Sequence, residues 1–260
     1  MQKYLKNNSL VREEIINYKL IYELKKAAAL HNYHLKTYLT AVDIEGYDLI
    51  IDDSALLRKV QLKTKLDSKT RSWLVHKSIM LPGFNFEDYG FHSTICPATP
   101  GCIFLLQIKF QDEELFVEYY YTDINIISLM ALGFLFTTKE SKEKAKQILK
   151  GMKNEIVCKG KVRLNKGMFL KVKNPESLLN IAGFQVRNNK HVTYNMWQTI
   201  KNYNRPDQGI DTLKKRAIQM TGHLSTIERE FKSIISDDFR LKIKYPKDVF
   251  PFWFEKELVN

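Results

Sequence analysis

Two short stretches decide the fold: Gly46-Tyr47-Asp48-Leu49-Ile50-Ile51 and, after a turn, Val60-Gln61-Leu62-Lys63. Both are rich in residues that favour β-strands, and Asp52-Asp53-Ser54 between them is typical of a turn. Side chains alternate along a strand, so Gln61 and Lys63 should point to one face and Leu62 to the other. The sequence therefore predicts two paired strands that carry Asp48, Gln61 and Lys63.

Further helices and strands are expected on both sides of this pair. Residues 9–31 have apolar residues at spacings of three and four, which predicts a helix, and 34–40 predicts a strand. Residues 102–110 and 114–121 predict two more strands, and the apolar residues 124–136 predict a buried helix. Residues 66–101 contain most of the prolines and glycines of this half, which favours loops. The mixture predicts an α/β fold.

Asp48 is a carboxylate among apolar strand residues, where a buried charge needs a cation. Together with the side-chain oxygen of Gln61, Asp48 could hold Mg²⁺ or Mn²⁺, with waters and a substrate phosphate completing the coordination. Such a metal lowers the pKa of bound water, and Lys63 could orient that water or offset negative charge on the phosphate. Alternatively, Gln61 and Lys63 form the solvated face of an amphipathic strand, and Asp48 caps a turn.

This order of a helix, a hairpin with Asp and a strand with Gln-x-Lys resembles the PD-(D/E)xK nuclease superfamily over roughly residues 9–121. Restriction endonucleases and Holliday-junction resolvases belong to that superfamily, in which Gln-x-Lys is a known variant of Glu-x-Lys. The resemblance implies a restriction-endonuclease-like core, a central mixed sheet flanked by helices. It also implies Mg²⁺-dependent hydrolysis of phosphodiester bonds in DNA, in a restriction or other anti-phage role.

Family members often add a glutamate from the first helix, and Glu23 is our candidate for a further catalytic and metal-binding residue. Glu23 lies between Leu20 and Ala27 on the apolar side of the predicted helix, so it should point toward the core. Glu14 is the alternative, although its place near the start of the helix is already explained by the helix dipole.

Several other residues near these strands could also belong to the site or could have ordinary structural roles. Gln107-Ile108-Lys109 repeats the Gln-x-Lys pattern, but no Gly-x-Asp strand precedes it, so we interpret it as an ordinary strand face or as a neighbour that helps to line the cleft. Asp43 and Glu45 could face the same cleft as Asp48. His76 and His92 have no partner at metal-ligand spacing and are interpreted as structural. Lys65, Ser68 and Arg71 follow the Gln-x-Lys strand and either contact substrate phosphates or belong to a solvated loop.

Positive charge is concentrated in the second half of the chain. Residues 1–138 have 15 Lys and Arg against 16 Asp and Glu, whereas residues 139–260 have 26 against 13, so the halves carry −1 and +13 of the total +12. This asymmetry favours a polyanionic partner, DNA or alternatively RNA. We therefore expect two domains, a nuclease domain at 1–138 and a basic, mainly helical nucleic-acid-binding domain at 139–260.

Within the second domain, residues 175–203 loosely suggest a helix-turn-helix reader, and 162–172 suggest a hairpin around Asn165-Lys166-Gly167. A helical subdomain with a basic outer face is the alternative. The residues expected to contact nucleic acid here are Arg187, Asn188, Asn189, Lys190, Lys201, Lys214, Lys215 and Arg216.

Composition limits the other possibilities. Hydrophobic residues make up 44% of the 260 residues, which indicates a globular protein, and no run of about 18 apolar residues predicts a membrane span. The three cysteines lack a zinc-site pattern, and with no signal-peptide core at the N-terminus we expect a cytoplasmic protein. A homodimer is one expected state, because enzymes that cut both strands are commonly dimers. The alternative function is non-catalytic nucleic-acid binding on a nuclease-like scaffold.

Overall fold

The computed structural model describes residues 2–40, 46–66, 70–80, 101–111, 114–153, 160–184 and 210–245. The helices are α1 Gln2–Asn7, α2 Ser9–Ala29, α3 Ile124–Leu132, α4 Ser141–Lys153, α5 Pro175–Ile181 and α6 Ile210–Ile234. The strands are β1 Lys36–Leu39, β2 Leu49–Asp52, β3 Leu57–Lys65, β4 Ser72–His76, β5 Cys102–Gln111, β6 Glu114–Thr122, β7 Leu135–Phe136, β8 Lys161–Asn165, β9 Leu170–Val172 and β10 Lys242–Ile243.

A six-stranded mixed sheet in the order β1-β2-β3-β5-β6-β9 forms the centre of the fold. Strands β1, β2 and β3 run antiparallel, β5 is parallel to β3, and β6 and β9 are again antiparallel to their neighbours. Helices flank this sheet, so the expected α/β class with a central mixed sheet is confirmed. In the described part of the chain, no helix combines the length and apolar character that a membrane span requires.

The two faces of the sheet are different. One face, which we call the helix face, carries Arg58, Val60 and Leu62 of β3 and is covered by α2 and α5. The other face, which we call the lysine face, carries Gln61, Lys63 and Lys65 of the same strand. Strand β4 lies over part of the lysine face, because the backbone N–H of His76 donates to Oε1 of Gln61 at 3.0 Å.

A buried polar cluster anchors β3 to the helix side. Arg58 is fully buried, and its guanidinium donates to the hydroxyl of Tyr121 and the carbonyl of Ala182, both at 2.7 Å, and lies 3.4 Å from Oδ2 of Asp123. Asp123 also accepts from Tyr121 at 2.6 Å and caps α3 by accepting from the N–H of Ile126. Burial alone would lower the pKa of Arg58, but Tyr121, Cys102 and Asp123 around it raise that pKa above its usual value.

The second half of the chain contributes to the same core as the first. Strand β9 extends the central sheet beside β6, and buried residues from before and after position 138 form one hydrophobic cluster. The expected boundary at 138/139 therefore does not separate two cores in the described residues. The expected hairpin at 162–172 is also absent there, because β8 pairs with β4 whereas β9 pairs with β6.

Candidate functional site

Asp48 lies just before β2, where that strand separates from β3. Its backbone N–H donates to the carbonyl of Val60 at 2.9 Å, and its carbonyl accepts from the N–H of Thr40 at 3.1 Å. Its carboxylate Oδ2 accepts a hydrogen bond from the backbone N–H of Leu62 at 2.6 Å. Asp48 is half-buried. Its carboxylate replaces a β2 carbonyl as the acceptor for the backbone N–H of Leu62.

This hydrogen bond places the carboxylate of Asp48 beside the residue that separates Gln61 from Lys63. The structure thus brings Asp48, which precedes β2, into one region with Gln61 and Lys63 of β3. The carboxylate is not the unpartnered buried charge that the sequence suggested, because Leu62 already provides a donor.

Gln61 is fully buried between the sheet and β4. Its Oε1 accepts from the N–H of His76, and its Nε2 has no hydrogen-bond partner in the described part of the chain. The amide cannot simply be reversed, since Nε2 would then face another donor at His76. A buried donor without an acceptor, such as this Nε2, costs about 1–3 kcal/mol. The hydrogen bond from the N–H of His76 to Oε1 holds the amide in this orientation.

His76 is the neighbour that the sequence interpretation missed. Gly46 has φ +81°, and a Cβ added to it would lie 2.2 Å from Cγ of His76, so the imidazole packs directly on this glycine. His76 therefore contacts both the segment that leads into Asp48 and the side chain of Gln61. The glycine before Tyr47-Asp48 is the sequence signal for this close approach.

Lys63 is half-buried on the same face as Gln61, and Leu105 and Tyr120 lie beside it on β5 and β6. Among the described residues it has no ion-pair partner. An ammonium group here, beside Asp48 but without a carboxylate bonded to it, can attract an anionic group of a ligand.

Glu23 is not brought to this region. Its carboxylate is 3.5 Å from Nζ of Lys19, and its charge helps to raise the pKa of Tyr119, after the larger effect of burial. Tyr119 shares the helix face with Leu62, so Glu23 lies across the sheet from Gln61 and Lys63. The alternative, Glu14, is an exposed residue of α2.

The donor set suits a hard divalent cation only through Asp48 and Gln61. A carboxylate has about four acceptor sites and an amide oxygen two, and the bonds from Leu62 and His76 each occupy one of these sites. Mg²⁺ commonly uses one or two carboxylates and completes its coordination with waters and phosphate oxygens. The described residues contain no group of three His, Cys, Asp or Glu side chains that could hold a metal. Asp43 and Glu45 lie outside the described residues.

The second Gln-x-Lys sequence is an internal comparison. Oε1 of Gln107 accepts from Nζ of Lys166 at 2.9 Å, and Lys109 forms an ion pair with Glu118 at 2.7 Å. Both side chains are thus used by interactions within the sheet and its surroundings. This arrangement agrees with the ordinary strand face expected for Gln107 and Lys109.

The residues expected to contact nucleic acid are only partly described. Lys65 is 6% exposed at the end of β3, and Arg71 is exposed just before β4. Ser68, His92, Arg187, Asn188, Asn189, Lys190 and Lys201 lie outside the described residues. Lys214, Lys215 and Arg216 belong to α6, although only the backbone is described there. Of the suggested helix-turn-helix, only α5 falls in the described part.

No protein-family model, curated protein or solved structure was found to match this chain.

Proposed function

We propose that this chain is a metal-dependent nuclease that hydrolyses phosphodiester bonds in DNA, with Asp48, Gln61 and Lys63 in its active site. The observation that carries the proposal is the hydrogen bond from the N–H of Leu62 to the carboxylate of Asp48. It joins the acidic residue that directly precedes one strand to the midpoint of Gln-x-Lys on the next strand. This is the pairing that the resemblance to PD-(D/E)xK nucleases requires.

In this proposal Asp48 and Gln61 would hold Mg²⁺ or Mn²⁺ through their side-chain oxygens. The bound metal would supply an activated water and would offset charge on the phosphate. Lys63 would bind a non-bridging phosphate oxygen and stabilise the negative charge that develops during attack. His76 would position Gln61, because its backbone N–H fixes the amide.

A net charge of +13 in residues 139–260 supports a polyanionic substrate, since basic surfaces attract nucleic acid and raise the rate of encounter. A restriction or anti-phage role would suit the same chemistry, but it derives from the resemblance alone.

A non-catalytic nucleic-acid-binding protein is the second candidate. It is favoured by the burial of Gln61, whose oxygen is already bonded to His76. If the amide cannot turn toward a metal, the site would keep its basic surroundings without chemistry.

A cleavage assay separates the two candidates. The full chain is incubated with plasmid DNA, linear duplex DNA, single-stranded DNA and RNA, with Mg²⁺, Mn²⁺ or EDTA. We expect metal-dependent cleavage that falls at least about 100-fold in D48N and K63Q. D48N is a sharp test, because the Asn oxygen can still accept from Leu62 while the charge is lost.

K109Q is the matched control, because it changes the other Gln-x-Lys lysine and should leave the rate unchanged. Binding without cleavage of any substrate would favour the second candidate. Equal cleavage by the wild type, D48N and K63Q would refute the assigned site.

A further inference from the structure

Two lysines from distant parts of the chain meet on the lysine face beyond Lys63. Lys65 is 6% exposed and pairs across the sheet with Gln107 of β5. Lys166 lies in the 3₁₀ turn Lys166–Met168, where its Nζ donates to Oε1 of Gln107 and lies 4.7 Å from the ring centroid of Tyr120. Lys166 thus bonds to the glutamine that lies beside Lys65 on the same face, and Lys65 is close enough for its charge to act on Lys166.

The neighbouring charges do not neutralise this pair. Glu118 bonds to Lys109 and Lys171 at 2.7 and 2.9 Å, and Asp238 bonds to Lys171. Lys65 and Lys166 have no carboxylate within ion-pair distance among the described residues. Among the described residues, the four lysines 65, 109, 166 and 171 stand against the two carboxylates of Glu118 and Asp238, a difference of +2.

The electrostatics of Lys166 agree with this count. Its pKa is lowered, first by burial and next by the charge of Lys65, and the nearby carboxylate of Glu118 does not reverse the effect. Like charges held together away from water are unfavourable unless an anion joins them. Lys65 and Lys166 are therefore two cations held near each other, with no described carboxylate at ion-pair distance from either of them.

We propose that Lys65 and Lys166 form a binding site for a phosphate group. Lysine binds phosphate as a point charge, and two ammonium groups beside a glutamine and a tyrosine provide several donors. Lys63 lies two residues from Lys65 on the same face, a distance of about 7 Å along the strand. A phosphate held by Lys65 and Lys166 would be next to the phosphate that reacts at Lys63. Its identity as a nucleic-acid phosphate rests on the proposed nuclease function, whereas the anion site itself does not.

The first test measures thermal unfolding of the full chain with and without inorganic phosphate, with sodium chloride added to equal ionic strength. Phosphate should raise the Tm of the wild type, because a ligand of the native state stabilises it. In K65M and K166Q the phosphate affinity should fall about tenfold or more, while the Tm without phosphate should stay equal or rise. K146Q is the control, because it removes one exposed lysine paired with Glu143 on α4 and should respond like the wild type.

The second test measures binding of a fluorescent DNA oligonucleotide in EDTA, where cleavage cannot occur. A fall of about tenfold in both variants identifies a nucleic-acid phosphate, and an effect on inorganic phosphate alone identifies a free phosphate. Either result supports the site. An equal phosphate response in all four proteins, or none in the wild type, would overturn it.

The two variants K65M and K166Q also separate loss of the site from loss of folding. If K65M does not fold, K166Q still tests the site, since its side chain is only partly buried. A strong loss of stability in K166Q without phosphate would contradict the proposal, because the lysine would then be structural. Failure of the nuclease proposal would appear separately, as absence of metal-dependent cleavage.

Discussion

Arg58 is the residue whose replacement should damage the fold most clearly. It is fully buried and bonds to Tyr121, Ala182 and Asp123, so it joins β3 to β6, α3 and the end of α5. The change R58M keeps a long apolar side chain of similar length, which limits the cavity that the substitution creates. It removes the positive charge and all three bonds.

The expected loss of stability in R58M follows from the buried polar groups that remain around position 58. Asp123 would stay buried with the bonds from Tyr121 and Ile126 but would lose the guanidinium of Arg58, and the carbonyl of Ala182 would lose a donor. Removing one partner of a buried ion pair costs about 3–5 kcal/mol. For a chain of this length, that corresponds to a fall in Tm of about 6–20 °C. The double variant R58M/D123N removes both charges, and Asn can still cap α3, so it should be less damaged than R58M.

Equilibrium urea denaturation, followed by far-UV circular dichroism, measures these effects if the m-values stay equal. The two single variants and the double variant form a cycle, in which we expect a coupling free energy of at least about 1.5 kcal/mol. A loss below about 1 kcal/mol in R58M, or additive losses in the cycle, would show that the pair does not act as described.

Two further predictions concern Gly46 and Cys102. G46A combines a positive φ with a contact of 2.2 Å between the new Cβ and His76, so it should lower both stability and the rate of cleavage. G133A is the control, because Gly133 also has a positive φ but a Cβ there meets only the flexible end of Lys142. In urea denaturation G133A should lose less stability than G46A. An equal loss in both would argue against the packing of His76. Burial raises the pKa of Cys102 to about 12, so at pH 8 its thiol should react with iodoacetamide only on global unfolding; reaction at the rate of an unfolded-chain thiol would contradict this. The neutral thiol's contribution to stability is complete below about pH 9, the ordinary pKa of a thiol, and is lost as the pH rises toward 12.

Local patterns predicted most of the helices and strands around the site. Helical spacing located α2 within two residues of its observed end, and the alternation around Gln61 located β3. The sequence does not predict β4, because the prolines and glycines of residues 66–101 favour loops, although Trp73 and Val75 alternate with the exposed Leu74. The alternating pattern of a short strand is easily overlooked inside a segment that reads as loop.

The sequence does not predict which distant strands pair with each other. The turn residues at 165–167 indicated a reversal, but nothing local shows that β8 pairs with β4 and β9 with β6. The position of Glu23 also depends on long-range packing. The helical pattern indicates that Glu23 points toward the core, but it does not indicate which face of the sheet α2 covers. The burial of Gln61 beneath His76 and the meeting of Lys65 with Lys166 also depend on such pairings.

Binding of Mn²⁺ tests the claim that Asp48 holds a divalent cation beside Lys63. Electron paramagnetic resonance of free Mn²⁺ in a titration gives the number of bound ions directly. We predict saturable binding by the wild type and by K109Q, weakened at least about tenfold in D48N, which keeps the bond from Leu62 but loses the charge. No saturable binding, or equal binding by the wild type and D48N, would contradict the claim.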